Sequence, residues 1–265
     1  MGARVTSAVP WRIAMASSVG TSHIASGQPC QDHHCHMAVE DAAGDPVTIF
    51  VVTDGAGSVA HAEIGARLSC ETFARLVADY ISGGGRVETI SRELAGRWIM
   101  GVIYRLSMRS WAQEARPRDY ACTLLAVICG ERATAFVQIG DGAIVISDGW
   151  STNWRHVFWP QHGEFANTTN FITSEDALQV MEFQVTTEPV AEVALFSDGL
   201  ENLVLNKTTR TVHAPFFDSM FPSVRRSQAA GPDPVLGRDL EKYLSTSTVT
   251  DRTNDDKTLI LATRR

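Results

Sequence analysis

The spacing of apolar and polar residues divides this chain into a strand, a helical stretch and a longer run of strands. In VTIFVVTDGAGS, Val47, Ile49, Phe50, Val51 and Val52 form an apolar run of strand length that ends at Asp54-Gly55. Helical periodicity follows. Ile64, Leu68, Phe73, Leu76, Val77 and Tyr80 recur on one face until Gly83-Gly84-Gly85, and Ile90, Leu94, Trp98, Val102, Ile103 and Leu106 form a second stripe that Pro117 closes. Apolar stripes this wide need a sheet or another helix to cover them.

From about residue 121 strand patterns dominate: ACTLLAVICG, RATAFVQIG, GAIVIS, LQVMEFQVTT, VAEVALFS and the closing KTLILAT. Short polar links such as Gly130-Glu131 and Asp148-Gly149 suit hairpins and antiparallel pairing. The segment from about Asn206 to Pro234 reads as irregular, and PVLGRDLEKYLST reads as a short helix. Helices bunched early and strands bunched late predict an α+β fold rather than alternating βαβ units.

Composition narrows the class. The 265 residues carry a net charge of -7 and have a pI near 5.6, with no basic stripe, which argues against nucleic acid or an anionic membrane as partner. No apolar run has secretory or bilayer-spanning length, so a cytoplasmic, single-domain protein over residues 1–265 is expected. The five cysteines show no disulfide rhythm. Cys30, His33, His34, Cys35 and His36 in CQDHHCHM can each bind zinc, but no second spaced pair closes a tetrahedral site, so the stretch reads as a polar loop.

The candidate chemistry lies at the strand ends. Three apolar runs lead into Asp54-Gly55, Asp141-Gly142 and Asp198-Gly199, and Asp255-Asp256 abut the last strand. Each pair alone reads as a turn, and Asp148-Gly149 is taken as an ordinary one. Together they form a set of carboxylates held by rigid strands, whose mutual repulsion a divalent cation relieves. Oxygen ligands without Cys or His favour Mg²⁺ or Mn²⁺, while the oxygen spacing of a calcium loop is missing.

In order, CQD, VTDGAG, CTLLAV, QIGDGA, NTTNFIT, LFSDGLENL and NDDKTLILA resemble the metal-dependent protein phosphatases of the type 2C serine/threonine class, in a divergent bacterial form, from about residue 12 to 263. The resemblance implies a four-layer α-β-β-α sandwich, with two antiparallel sheets face to face, helices outside and a centre of two Mg²⁺ or Mn²⁺ ions. It assigns Asp54 to bridge both ions, the Gly55 carbonyl to one of them, and Asp198 and Asp255 to complete one ligand set. Asp256 would support from behind, Asp32 would hold water at a metal, and Asp141 would serve a third ion used by some members. It implies a phosphorylated protein substrate, a kinase or a kinase's target, and hydrolysis by a water shared between the ions. Thr123 and Asn167 to Thr173 match positions of structural role, and residues 206–234 fall where the family varies its substrate-facing flap.

Two departures accompany the resemblance. Where many members have an arginine for the substrate phosphate, five residues before the first aspartate, this chain has Gly27; His23 first, then Gln28 or an arginine from elsewhere, are the candidate replacements. Where some members have a histidine after the first Asp-Gly, it has Ala56. Three readings follow: an active protein phosphatase, a pseudophosphatase that binds phosphoproteins, and a phosphohydrolase of small molecules.

Overall fold

The computed structural model describes residues 11–149, 153–161 and 169–264. Its first strand, β1 (Arg12–Ser18), leads through α1 (Thr21–Ser26) to β2 (Asp32–Glu40) and β3 (Pro46–Asp54). Two long helices follow, α2 (Ala62–Ser82) and α3 (Arg92–Trp111), and then β4 (Leu124–Cys129), β5 (Thr134–Ile139), β6 (Ala143–Ser147) and β7 (Arg155–His156). Beyond them come α4 (Ala177–Val180), β8 (Glu182–Thr186), β9 (Glu192–Phe196), α5 (Glu201–Val204), β10 (Leu205–Asn206) and β11 (Thr211–Val212). The chain continues through α6 (Ala214–Arg226), β12 (Gly231–Pro232), α7 (Pro234–Leu244) and α8 (Ser247–Thr250) to β13 (Lys257–Thr263).

Two sheets form, in the orders β12-β1-β13-β9-β6-β7 and β2-β3-β4-β5-β8, besides the small β10-β11 pair. Their pairings are antiparallel except the edge pairing of β1 with β12. The period of two along each strand explains the layering. Val47, Ile49 and Val51 of β3 pack with α2 and α3, while Phe50 and Val52 meet Ile144, Leu195 and Ile260 of the facing sheet. On that sheet, Val145, Phe196 and Leu259 turn outward to α6 and α7. Central strands are therefore apolar on both faces, and the four layers bury three cores.

Local chemistry sets the helix ends. Ser91 caps α3 by accepting the Leu94 N–H at 3.2 Å, and the chain leaves α2 through Gly83, whose N–H reaches the Asp79 carbonyl at 2.9 Å. Among the described residues no helix is long and apolar enough to cross a membrane.

Three sequence expectations are corrected. CQDHHCHM is largely strand: β2 is an edge strand whose Cys35, Met37 and Val39 pack against α2's core, while His34 and His36 turn toward the other sheet. Its polar residues hid the alternation. The front of LQVMEFQVTT is helical rather than extended, because the Asp176 carbonyl accepts from Gln179 and Val180, and Arg92 takes the carbonyls of Leu178 and Gln179. Residues 206–234 contain a β hairpin and the 13-residue α6, which buries Phe216, Phe217, Phe221 and Val224 around its internal Pro222. A proline inside a helical pattern reads as a breaker, and here packing overrides it.

Candidate metal centre

Antiparallel register gathers the aspartates on one rim of the sandwich. Asp32 and Asp54 stand directly opposite each other on β2 and β3. Phe196 at the end of β9 pairs with Ala143 at the start of β6 and with Leu259 near the start of β13. Asp198 just beyond Phe196, Asp141 just before Ala143, and Asp255 just before β13 therefore meet at the same end. Thr123 clamps Asp54 from β4's side: its N–H donates to the Asp54 carbonyl at 2.8 Å and its hydroxyl accepts the Asp54 N–H at 3.1 Å. Two glycines are sterically required. Gly140 turns the chain into Asp141 at φ 117°, and a Cβ on Gly199 would collide with the Asp256 carbonyl.

Asp54, Gly55, Thr123, Asp141, Asp198 and Asp255 line a cavity of about 450 Å³. Asp32 sits buried behind it, with Oδ2 accepting the Ser197 hydroxyl at 2.7 Å and Oδ1 without a hydrogen-bond partner. The buried Oδ1 of Asp198 lacks a partner as well. Burial, joined by the charges of Asp256 and Asp198, lifts Asp32 to about 7 against the pull of the Ser197 and Thr258 hydrogen bonds. Burial and then Asp141 and Asp255 lift Asp198 to about 7; burial, Glu201 and Asp255 lift Asp141 to about 6. Asp54 is raised well above the ordinary carboxylate range by burial and by Asp32, Asp198 and Asp141.

Asp256 faces away from the cavity. Its carboxylate accepts the N–H groups of Gly20 and Gln31, both at 2.6 Å, and Nδ1 of His23 at 2.9 Å. His23 is thus a buried residue, not a surface one. A Cβ on Gly57, at the cavity's edge, would lie 3.9 Å from both His23 Nε2 and the unpartnered Gln31 Oε1. Gln28 is exposed and does not line the cavity. No residue of 206–234 lines it, and Asn167 and Thr168 lie outside the described residues.

The sequence reading missed Ser197, Gln31 and Lys257. Ser197 both donates to Asp32 and accepts the Thr258 N–H at 3.0 Å, joining the two sheets under the site. Lys257 is fully buried, and its Nζ donates to the carbonyls of Val19 at 3.3 Å and Asp255 at 3.1 Å, beside the carboxylates of the rim. A lysine within an otherwise apolar strand was the available signal.

An all-oxygen donor set with two orphaned buried carboxylate oxygens fits a hard divalent cation. Among the described residues, no group of three or more His, Cys, Asp or Glu already stands in a metal-holding arrangement.

Comparison with known proteins agrees with this picture. Residues 19–245 match the family model described as protein phosphatase 2C. The chain is 36% identical over 253 residues to serine/threonine-protein phosphatase 3 of Escherichia coli K12, covering 95% of this chain and 98% of that protein. Its fold resembles that of the serine/threonine phosphatase Stp1 from Staphylococcus aureus, with TM-score 0.60 and 13% identity over 99% of this chain and 98% of that one. It also resembles the Mycobacterium tuberculosis serine/threonine phosphatase PstP/Ppp, with TM-score 0.61 and 15% identity over 96% and 98% of the two chains. At such identities the structures speak for the sandwich alone, whereas the family match and the E. coli relative show that this chain belongs to the protein phosphatase 2C family.

Proposed function

We propose that this protein hydrolyses phosphoserine and phosphothreonine in proteins, with two Mg²⁺ or Mn²⁺ ions, and so opposes a bacterial serine/threonine kinase. The observation that carries the reading is the convergence of Asp32, Asp54, Asp141, Asp198 and Asp255 at one rim, with unpartnered oxygens on Asp32 and Asp198. When bound, the ions supply a water of lowered pKa and neutralise the phosphoryl charge.

Asp54, the Gly55 carbonyl, Asp198 and Asp255 are the groups we assign to hold two ions, and Asp141 to serve a third. Asp32, oriented by Ser197, holds water at the site. Asp256 fixes α1 and the start of β2, and through Nδ1 it fixes the ring of His23. Nε2 of His23 lies on the Gly57 side, although His23 itself is not among the residues lining the cavity, and we assign it to bind a phosphate oxygen in place of the missing arginine at Gly27. Gln28, at the surface, is the weaker candidate. Ala56 has no proton to give, so the leaving alkoxide takes its proton from water.

A second reading, a phosphoprotein-binding pseudophosphatase, draws on Gly27, where the phosphate-binding arginine is missing. Release of phosphate from a phosphothreonine peptide, with Mn²⁺, Mg²⁺ or chelator and with an Asp198→Ala control, separates the two. Metal-dependent turnover that the substitution abolishes supports the enzyme. A folded, metal-loaded protein with no turnover on the peptide favours the binding module over the protein phosphatase.

A further inference from the structure

α3 is apolar on two sides, and only one of them is covered. Ala95, Trp98, Ile99, Val102 and Leu106 are buried against α2 and the five-stranded sheet. On the outside, Met100, Tyr104, Met108 and Trp111 follow each other at spacings of four, four and three, which sets them on one face. They are 50%, 68%, 41% and 78% exposed. A turn earlier, Gly96 leaves the neighbouring Leu178 uncovered, extending the stripe. Tryptophan, tyrosine and methionine at this exposure, aligned along one helix, form a contiguous apolar patch of the kind that marks an interaction site.

The charge beside the stripe selects the occupant. α3 carries four arginines and one acid, Glu93, in a chain whose net charge is -7. Arg92 is occupied by backbone carbonyls, but Arg97, within the stripe, and Arg105, at its flank, are exposed and form no ion pair among the described residues. A second copy laid on this face would bring like charges together. An acidic segment with apolar side chains fits both features.

The face also has a direction. Beyond Trp111 the chain passes through Pro117–Tyr120 to Ala121, whose carbonyl accepts the N–H of Ala56, and to Thr123; Ala56 and Thr123 both line the aspartate cavity. That cavity offers a polypeptide little to hold, being lined chiefly by aspartates, glycines and hydroxyl side chains. We propose that the outer face of α3 docks an acidic, amphipathic segment of the phosphoprotein substrate and delivers it toward the rim from the Trp111 end. This inference rests on the phosphatase reading above.

The test compares phosphorylated casein, an acidic polypeptide, with p-nitrophenyl phosphate, which has no chain to dock. Tyr104→Ser with Trp111→Ser, and separately Arg97→Gln with Arg105→Gln, alter exposed side chains. Each pair is expected to lower kcat/KM on casein about tenfold, through KM, while p-nitrophenyl phosphate turnover stays at the wild-type value. Unchanged casein kinetics, or an equal loss on both substrates, overturns the proposal. So does sedimentation showing a wild-type dimer that Tyr104→Ser with Trp111→Ser dissociates, since a second copy then covers the face. Anisotropy of labelled casein reads docking without turnover. Wild-type binding that the substitutions weaken, in a protein inactive on both substrates, would sink the phosphatase reading and leave the docking face standing.

Discussion

The strand β6 has an Asp-Gly pair at each end, and the two pairs differ in everything except sequence. Asp141-Gly142 enters the strand where β9 and β13 also bring aspartates, and a Cβ on Gly142 would lie 2.6 Å from the Phe196 carbonyl. Asp148-Gly149 leaves it at the opposite end of the sandwich, with Asp148 exposed, Gly149 at φ 77° and the Gly149 N–H on the Ser147 hydroxyl. Residues such as Arg132, Glu188 and Arg264, of mixed charge, surround that end. An Asp-Gly pair at a strand end is therefore a turn by default. It becomes part of a site only where antiparallel register brings other carboxylates to the same rim.

The contrast breaks or holds under substitution. Asp198→Asn is expected to cut phosphopeptide turnover by about a thousandfold or more, since it removes a metal-facing carboxylate, while Asp148→Asn leaves kcat unchanged. Comparable losses at both ends would mean that the rim is not special. Removing the Ser197 hydroxyl with Ser197→Ala frees Asp32 to turn, and a fall in kcat of about tenfold is expected, the size seen when ligand-orienting partners are lost.

Acidity sharpens the comparison further. Asp32 and Asp198 sit near 7 in the folded metal-free protein, above an unfolded carboxylate near 4, so their contribution is intact below about pH 4 and is lost as pH rises through about 7. Mn²⁺ relieves that repulsion. Its stabilising shift in melting temperature should grow by about 5 °C between pH 5 and 7.5. The difference between melts with and without metal isolates these groups; Asp198→Asn should flatten it and Asp148→Asn should not. The smallest effect expected is at His23, where replacement by alanine raises KM for a phosphopeptide about threefold. Recovery of KM with His23→Asn would show that holding Asp256, rather than contacting phosphate, is the side chain's task.

Much of this was legible where strands are buried on both faces. β3, β4 and β9 announce themselves as unbroken apolar runs because each lies between helices and the opposing sheet. β2 did not, since an edge strand tolerates histidines and an aspartate among its inward residues. α6 was hidden by Pro222, although the positions of Phe217, Phe221 and Val224 carried a helical stripe. Within the site, Asp54, Asp141 and Asp198 were readable from the glycine that follows each. Ser197 was not, because its role arises from contact with a residue far away in sequence, Asp32, that no local pattern encodes.

The position of β13 has a bearing on how the molecule comes into being. It lies between β1 and β9 in the middle of its sheet, pairing residues 257–263 with residues 12–18, so the earliest described strand waits for the latest. Asp255 and Asp256 arrive with it, and until they do α1, which holds His23, and the start of β2 lack their anchor. So distant a pairing makes for high contact order and slow final closure. Ribosome-bound chains ending before residue 255 would carry four of the five rim aspartates and no completed site, and catalysis would begin only as this last segment zips into place.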